Sequence, residues 1–336
     1  MSDTIQMHEL RPGDVLLPHG TGFVGRMIEM IDGSDASHAM IVYDADTIAE
    51  SDFQPGIHKA NLAAKVGGYP RVTARRISDA KLDMVPVIAT ADRYLAQGGR
   101  YAYEAIVLLA FLCLSRRIPL PRVARRVLRA VLDRAASVIN DIIAHGKQPM
   151  ICSELVYRCY DEALPEQDDR YTLHIPGTID SLAFTSRGIV GASGVRGRGI
   201  DPNSLLANLL QRSHVLGFRA LDRDAVLGTM GVRGATSDEE VEALARVYVE
   251  QVRTDAPDTF DDMAAIAADP EIQEAVDRFV AVLVPIDAAR FDIQRADGEQ
   301  RLASAAYSEL ARTIADLVSP ADLMHTNSLV GLGTVV

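Results

Sequence analysis

The sequence predicts an α+β chain, and three observations carry that expectation. Strand-like runs and tight turns crowd residues 11–77. From residue 81 onward the apolar spacing is mostly helical. A glycine-interrupted apolar tail then closes the chain as one more strand. Strands followed by a run of helices indicate segregated α and β structure, not alternating βαβ units. A chain of 336 residues with 48% apolar composition is globular, and long enough for one large domain or two.

Taken in order, RPGDVLLP (11–18) reads as a turn followed by a short strand. Phe23 to Ile31 has helical spacing and stops at Asp32-Gly33. His38 to Tyr43 reads as a strand, with Thr47 to Ser51 its hairpin partner across a three-residue loop at 44–46. Pro70 to Ile77 is a further strand. Lys81 to Ala96 and Tyr101 to Leu114 read as helices. The second of these contains AIVLLAFLCL (105–114), an apolar run too short to span a bilayer and therefore a buried helix. Pro119 and Pro121 interrupt the pattern, and Arg122 to Ile143 resumes it as a long amphipathic helix. Ile151 to Ala163 is helical and carries a cysteine at its start. Glycines at 188, 191, 194, 197 and 199 mark a flexible loop. Ser237 to Val318 reads as three or four helices with breaks at Pro257, Pro270 and Pro285. In SPADLMHTNSLVGLGTVV (319–336), Pro and Gly are expected to break any helix before the final strand.

Charge is unevenly spread. Against a net charge of −12, residues 236–299 carry 17 Asp and Glu and 5 Arg, while residues 102–140 carry seven Arg and only Glu104 and Asp133 as acids. This balance argues against nucleic-acid binding. The arginines of 115–143 either pair with the acidic stretch or serve as a peripheral membrane contact; the first is favoured because an acidic partner is already in the chain. The first ten residues lack the apolar core of a secretory signal. Three cysteines, at 113, 152 and 159, suit a reducing compartment, and the expected location is cytoplasmic. On one helix Cys152 and Cys159 would lie roughly 10 Å apart, too far to bridge.

Two segments carry chemistry. In SHAMIVYD (37–44) a histidine opens a strand, and in PMICSELVYRCYDEA (149–163) a cysteine falls in the first turn of a helix. A thiol becomes nucleophilic as thiolate, which a helix N-terminus and a neighbouring imidazolium both favour. The first-turn N–H groups would also stabilise an oxyanion. The base then needs a third group to orient it. With a three-residue loop, Tyr43 pairs with Thr47 and Met40 with Glu50, so His38, Met40, Ile48, Glu50 and Asp52 share one face. Glu50 is then diagonal to His38 and Asp52 directly opposite it, and either is eligible as the third group. Cys113 and Cys159 read as core residues. The Gly-Asp turn at Asp14 reads as structural. The remaining histidines, including His19, His58, His174 and His325, show no partner pattern, and no metal or phosphate motif stands out.

These segments resemble the circularly permuted NlpC-type branch of the papain-like superfamily. That branch includes YiiX- and YycO-like bacterial proteins and, more distantly, the lecithin retinol acyltransferase-like enzymes. RPGDVLL is similar to the family's opening turn and strand, SHAMIVY to its histidine strand, TIAESDFQPGI (47–57) to the next strand, and ICSELVYRCY to its cysteine helix. The closing SPADL…VV segment is similar to its final turn and strand. The resemblance implies a small antiparallel sheet packed on the cysteine helix, with a large, mostly helical insertion. Residues 1–180 and 317–336 would form the catalytic domain, and 181–316 the Gly-rich loop and acidic insertion.

It implies a cysteine hydrolase of peptidase or amidase type. Cys152 would be the nucleophile, His38 the general acid–base and Glu50 the orienting group, with no metal or cofactor and a peptide, amide or acyl-ester substrate. One alternative is a thiol acyltransferase or phospholipase at lipid surfaces. Another is a non-catalytic scaffold on the same fold.

Overall fold

The computed structural model describes residues 4–20, 22–52, 56–97, 104–116, 124–144, 151–165, 168, 170–175, 204–209, 237–254, 263–288, 310 and 317–336. The Gly-rich segment 187–199, Arg117, Arg122, Pro119, Pro121, Pro149 and Pro257 lie outside these residues.

The fold is α+β. Among the described residues, the strands are β1 (Thr4–Ile5), β2 (Val15–Pro18), β3 (Met40–Val42), β4 (Thr47–Asp52), β5 (Gly56–Asn61), β6 (Val72–Ile77) and β7 (Leu329–Val335). The helices are α1 (Phe23–Asp32), α2 (Leu62–Gly67), α3 (Val85–Gln97), α4 (Glu104–Ser115), α5 (Ala124–Ala144) and α6 (Cys152–Asp161). They continue with α7 (Asp238–Thr254), α8 (Met263–Ala267), α9 (Pro270–Ala288) and α10 (Pro320–His325). The chain divides into two compact units. One comprises Met1–Leu108, Lys147–Pro176 and Val318–Val336; the other comprises Leu109–Gly146 and Gly177–Leu317. Residues 109–146, expected with the cysteine helix, thus belong with the helices of the acidic stretch. The reason is the apolar stripe of α5, which packs against α7 and α9.

In the first unit the sheet order is β1-β7-β6-β2-β3-β4-β5. All neighbours are antiparallel except β1 and β7, so the sheet is mixed where a purely antiparallel one was expected. β1 comes from the extreme N-terminal segment, whose polar sequence gave no strand signal. The hairpin register is the expected one: Met40 pairs with Glu50, Val42 with Ile48, and Tyr43 N–H donates to Thr47 O at 2.9 Å. Leu16, Met40, Val42, Ile48, Val72 and Ala74 build a buried core joined by Leu62 and Val66 of α2.

Turn chemistry fixes the framework. Gly13 has φ +90°, a left-handed conformation that any larger residue resists. Its N–H donates to Val42 O, while Val42 N–H donates to Asp14 O, each at 2.8 Å. Asp14 is buried and takes Arg76 through both carboxylate oxygens at 2.6 Å, which accounts for it as a structural residue. Helix α3 begins at Val85 and not at Lys81, because the Asp79 and Asp83 carboxylates draw 79–83 into turns and Asp83 Oδ1 accepts the Val85 N–H. The 319–325 segment, where a break was expected, is the short helix α10. Ser319 caps it and Pro320 sits at its first position, where no N–H is needed. Pro285 likewise lies inside α9, within its last turn.

Helix α4 is buried at every residue from Ile106 to Leu114, as an all-apolar helix requires. In the second unit Phe111 meets Phe279 edge-on at 5.3 Å. Val127, Leu128, Val131, Leu132 and Ile139 of α5 are buried, while its polar face pairs with acids. Arg125 meets Asp269 at 3.0 Å, Arg129 meets Glu271 at 2.6 Å, and Asp133 takes Arg278 at 2.7 Å. Among the described residues, no helix is long and apolar enough to cross a membrane.

Candidate active site

The site grows from the β3–β4 hairpin. His38 lies two residues ahead of β3, and Glu50 lies opposite Met40 in β4. The diagonal step brings His38 Nε2 to 3.0 Å from Glu50 Oε2. Glu50 is fully buried, and His38 reaches the surface with only 12% of its side chain. Since a carboxylate only accepts, the His38 proton resides on Nε2 in the neutral ring, which leaves Nδ1 as the basic nitrogen. The Tyr69 ring lies nearly parallel to that of His38, with centroids 6.4 Å apart.

The second oxygen of Glu50 has partners that the sequence did not announce. Lys65 Nζ of α2 is 2.5 Å from Oε1, and His58 Nε2 of β5 is 3.3 Å from it. The signal for His58 was present: Gly56 turns the chain so that β5 folds back on β4 with Glu50 opposite His58. Lys65 follows from a helix capped by Asn61, whose side chain accepts the Ala64 N–H and starts the turn that carries the lysine. Asp52, the other eligible third group, binds Lys65 Nζ at 2.7 Å.

Burial pushes the Glu50 carboxyl upward, but the hydrogen bonds and charges of His38 and Lys65 outweigh it and hold the carboxyl below its ordinary range. Lys65 is raised: burial works against its charge, and the Asp52 and Glu50 carboxylates prevail. The Tyr69 phenol is raised, chiefly by burial.

Cys152 is the first residue of α6. Ile151 occupies the cap position and makes no side-chain cap bond. Ile151 offers no polar side chain to the first-turn N–H groups, and Glu154, in the same turn, accepts the Ile151 N–H at 3.4 Å. Helix α6 packs on β3 and β4, and two tethers hold it. At the far end, the Tyr160 hydroxyl donates to Gly13 O, beside Val42. At the near end, Ser153 Oγ donates to Val318 O at 2.6 Å. The next residue, Ser319, bonds Asp32 at 3.0 Å, just upstream of the segment leading to His38. Eight helical residues from Tyr160 back to Cys152 span ~12 Å, and four extended residues from Val42 back to His38 span ~13 Å, so the two runs match in length.

All three cysteines are outside any disulfide and buried, Cys152 being 1% exposed. Burial pushes Cys113 and Cys159 up to about 12. Among the described residues no cluster of three or more His, Cys, Asp or Glu is gathered as metal ligands would be. No protein-family model matches the chain, and no curated protein matches it.

Proposed function

We propose that the first unit is a cysteine hydrolase on a permuted papain-like core, acting on a peptide, amide or acyl-ester carbonyl and working in the reducing cytoplasm. The observation that carries this reading is the 3.0 Å bond from His38 Nε2 to the buried Glu50 carboxylate. The packing of α6 on β3 and β4, and its tethers at Tyr160 and Ser153, support bringing Cys152 to this ring.

In this reading Cys152 passes its proton to His38 Nδ1, and the thiolate attacks the carbonyl carbon. The first-turn N–H groups of α6 receive the oxyanion. The imidazolium, held by Glu50, returns the proton to the leaving amine or alcohol, and a thioester remains on Sγ. Water, deprotonated by His38, then attacks the thioester carbonyl and releases the acid and the thiol. Arg125 and Arg129 are engaged by Asp269 and Glu271, which favours this hydrolase over the lipid-docking alternative.

The test is competitive alkylation by iodoacetamide, read peptide by peptide in a mass spectrometer. Accessibility does not favour Cys152, because all three thiols are buried. Thiols pushed up to about 12 are ionised roughly one part in 10⁴–10⁵ near pH 7.5. An activated thiol in the range of about 3.5–7.5 is largely ionised. Its lower intrinsic nucleophilicity returns about two orders of magnitude, so Cys152 should react about 100-fold faster than the other two. Equal rates at the three thiols overturn the proposal.

A further inference from the structure

Glu50 is a fully buried carboxylate with two differently occupied oxygens: Oε2 faces His38, and Oε1 faces Lys65 and His58. Lys65 is itself held twice, by Glu50 at 2.5 Å and by Asp52 at 2.7 Å. We propose that Lys65 is a positioning residue that acts through Glu50 on His38 and sets the pH at which Cys152 is armed; this rests on the cysteine-hydrolase reading above.

The argument is one of geometry and charge. A buried carboxylate facing only imidazoles would be able to turn either oxygen to either ring, or to take up a proton. The ammonium removes that freedom. It claims Oε1 and leaves Oε2 to accept the His38 Nε2 proton, which keeps the basic lone pair on Nδ1. The groups facing the lysine and the ring are Glu50 and Asp52 on β4, His58 on β5, and Tyr69 after α2.

Counting the lysine and the carboxylates alone, two carboxylates and one ammonium leave a single negative charge. Without the ammonium the same pocket carries two. The more negative pocket binds the His38 proton more tightly and disfavours the adjacent thiolate. Removing Lys65 therefore raises the proton affinity of both catalytic groups.

The experiment compares the full-length wild type with Lys65→Met, Lys65→Gln and Lys65→Arg. Cys152 alkylation by iodoacetamide is followed from pH 5 to 9, and His38 is titrated by NMR. Met and Gln should each shift the alkylation onset and the His38 titration to higher pH by about one unit, a roughly tenfold slower reaction at a fixed pH below the onset. Arg, which keeps the charge, should stay close to wild type. A general loss of packing would lower the folded fraction without moving either midpoint, so midpoints that coincide with wild type in both the Met and Gln variants overturn the inference. If wild-type Cys152 reacts no faster than Cys113 and Cys159, the hydrolase reading fails first and this inference falls with it.

Discussion

Replacing Glu50 by Gln keeps the shape of the side chain and removes its charge, which makes it a direct probe of the proposed chemistry. With 3.0 Å between ring nitrogen and carboxylate oxygen, the charge centres of an imidazolium–carboxylate pair lie ~4 Å apart. At an effective dielectric of ~20 their attraction is about 4 kcal/mol, equivalent to about three pH units. The His38 side chain still reaches solvent with 12% of its area, which screens part of this, so a loss of about one to two units at His38 is expected.

A second effect acts in the same direction. The amide oxygen of the substituted side chain would turn to Lys65 and its NH₂ to His38 Nε2, driving the ring proton to Nδ1, the nitrogen that must accept from the thiol. The assay is the alkylation rate of Cys152 near pH 7, with Cys113 and Cys159 as internal references. A fall of about 10- to 100-fold at Cys152, with the references unchanged, is expected. An unchanged Cys152 rate would refute the claim that Glu50 acts on the thiol through His38.

Two further outcomes concern stability. Glu50 sits below its ordinary value in the folded chain, so its ionisation stabilises the fold at pH values above the unfolded carboxylate's range. That contribution fades as the pH falls through the folded-state value. Urea midpoints measured from pH 6 to 3 should fall more steeply for wild type than for Glu50→Gln, and parallel curves would contradict the shift. Asp14→Asn leaves Arg76 without the bidentate partner that ties the turn before β2 to β6. A loss of about 3 kcal/mol is expected in urea titration, and a change below about 0.5 kcal/mol would show the pair to be dispensable.

Much of the site was legible in the sequence because hairpin register is a local property. The loop at 44–46 and the alternation of the flanking residues were enough to put Glu50 on the diagonal from His38, and the ladder has that register. Capping was equally local: Asp32-Gly33 ends α1, with Gly33 at φ +68°. Other features were not readable in this way. Lys65 announces nothing, because its role depends on α2 folding back over the hairpin. β1 has too little apolar character to stand out, and it exists through its parallel pairing with β7, more than three hundred residues away. Ser319-Pro320 reads as a break when proline alone is weighed, although the same residues are a good helix start once a cap is recognised.

Alone, the sequence left β1 and β5 unread but determined β2, β3, β4, β6 and β7, where most helices stop, and that a histidine segment and a cysteine helix are present. These follow from steric preference, capping and apolar spacing within a few residues. Tertiary structure decided which segments meet. The tethers from Tyr160 to Gly13 and from Ser153 to Val318 join residues 147 and 165 positions apart, and they hold α6, which packs on β3 and β4. It also decided that α5 belongs with the acidic helices, because an apolar stripe specifies that it must be covered without specifying by what.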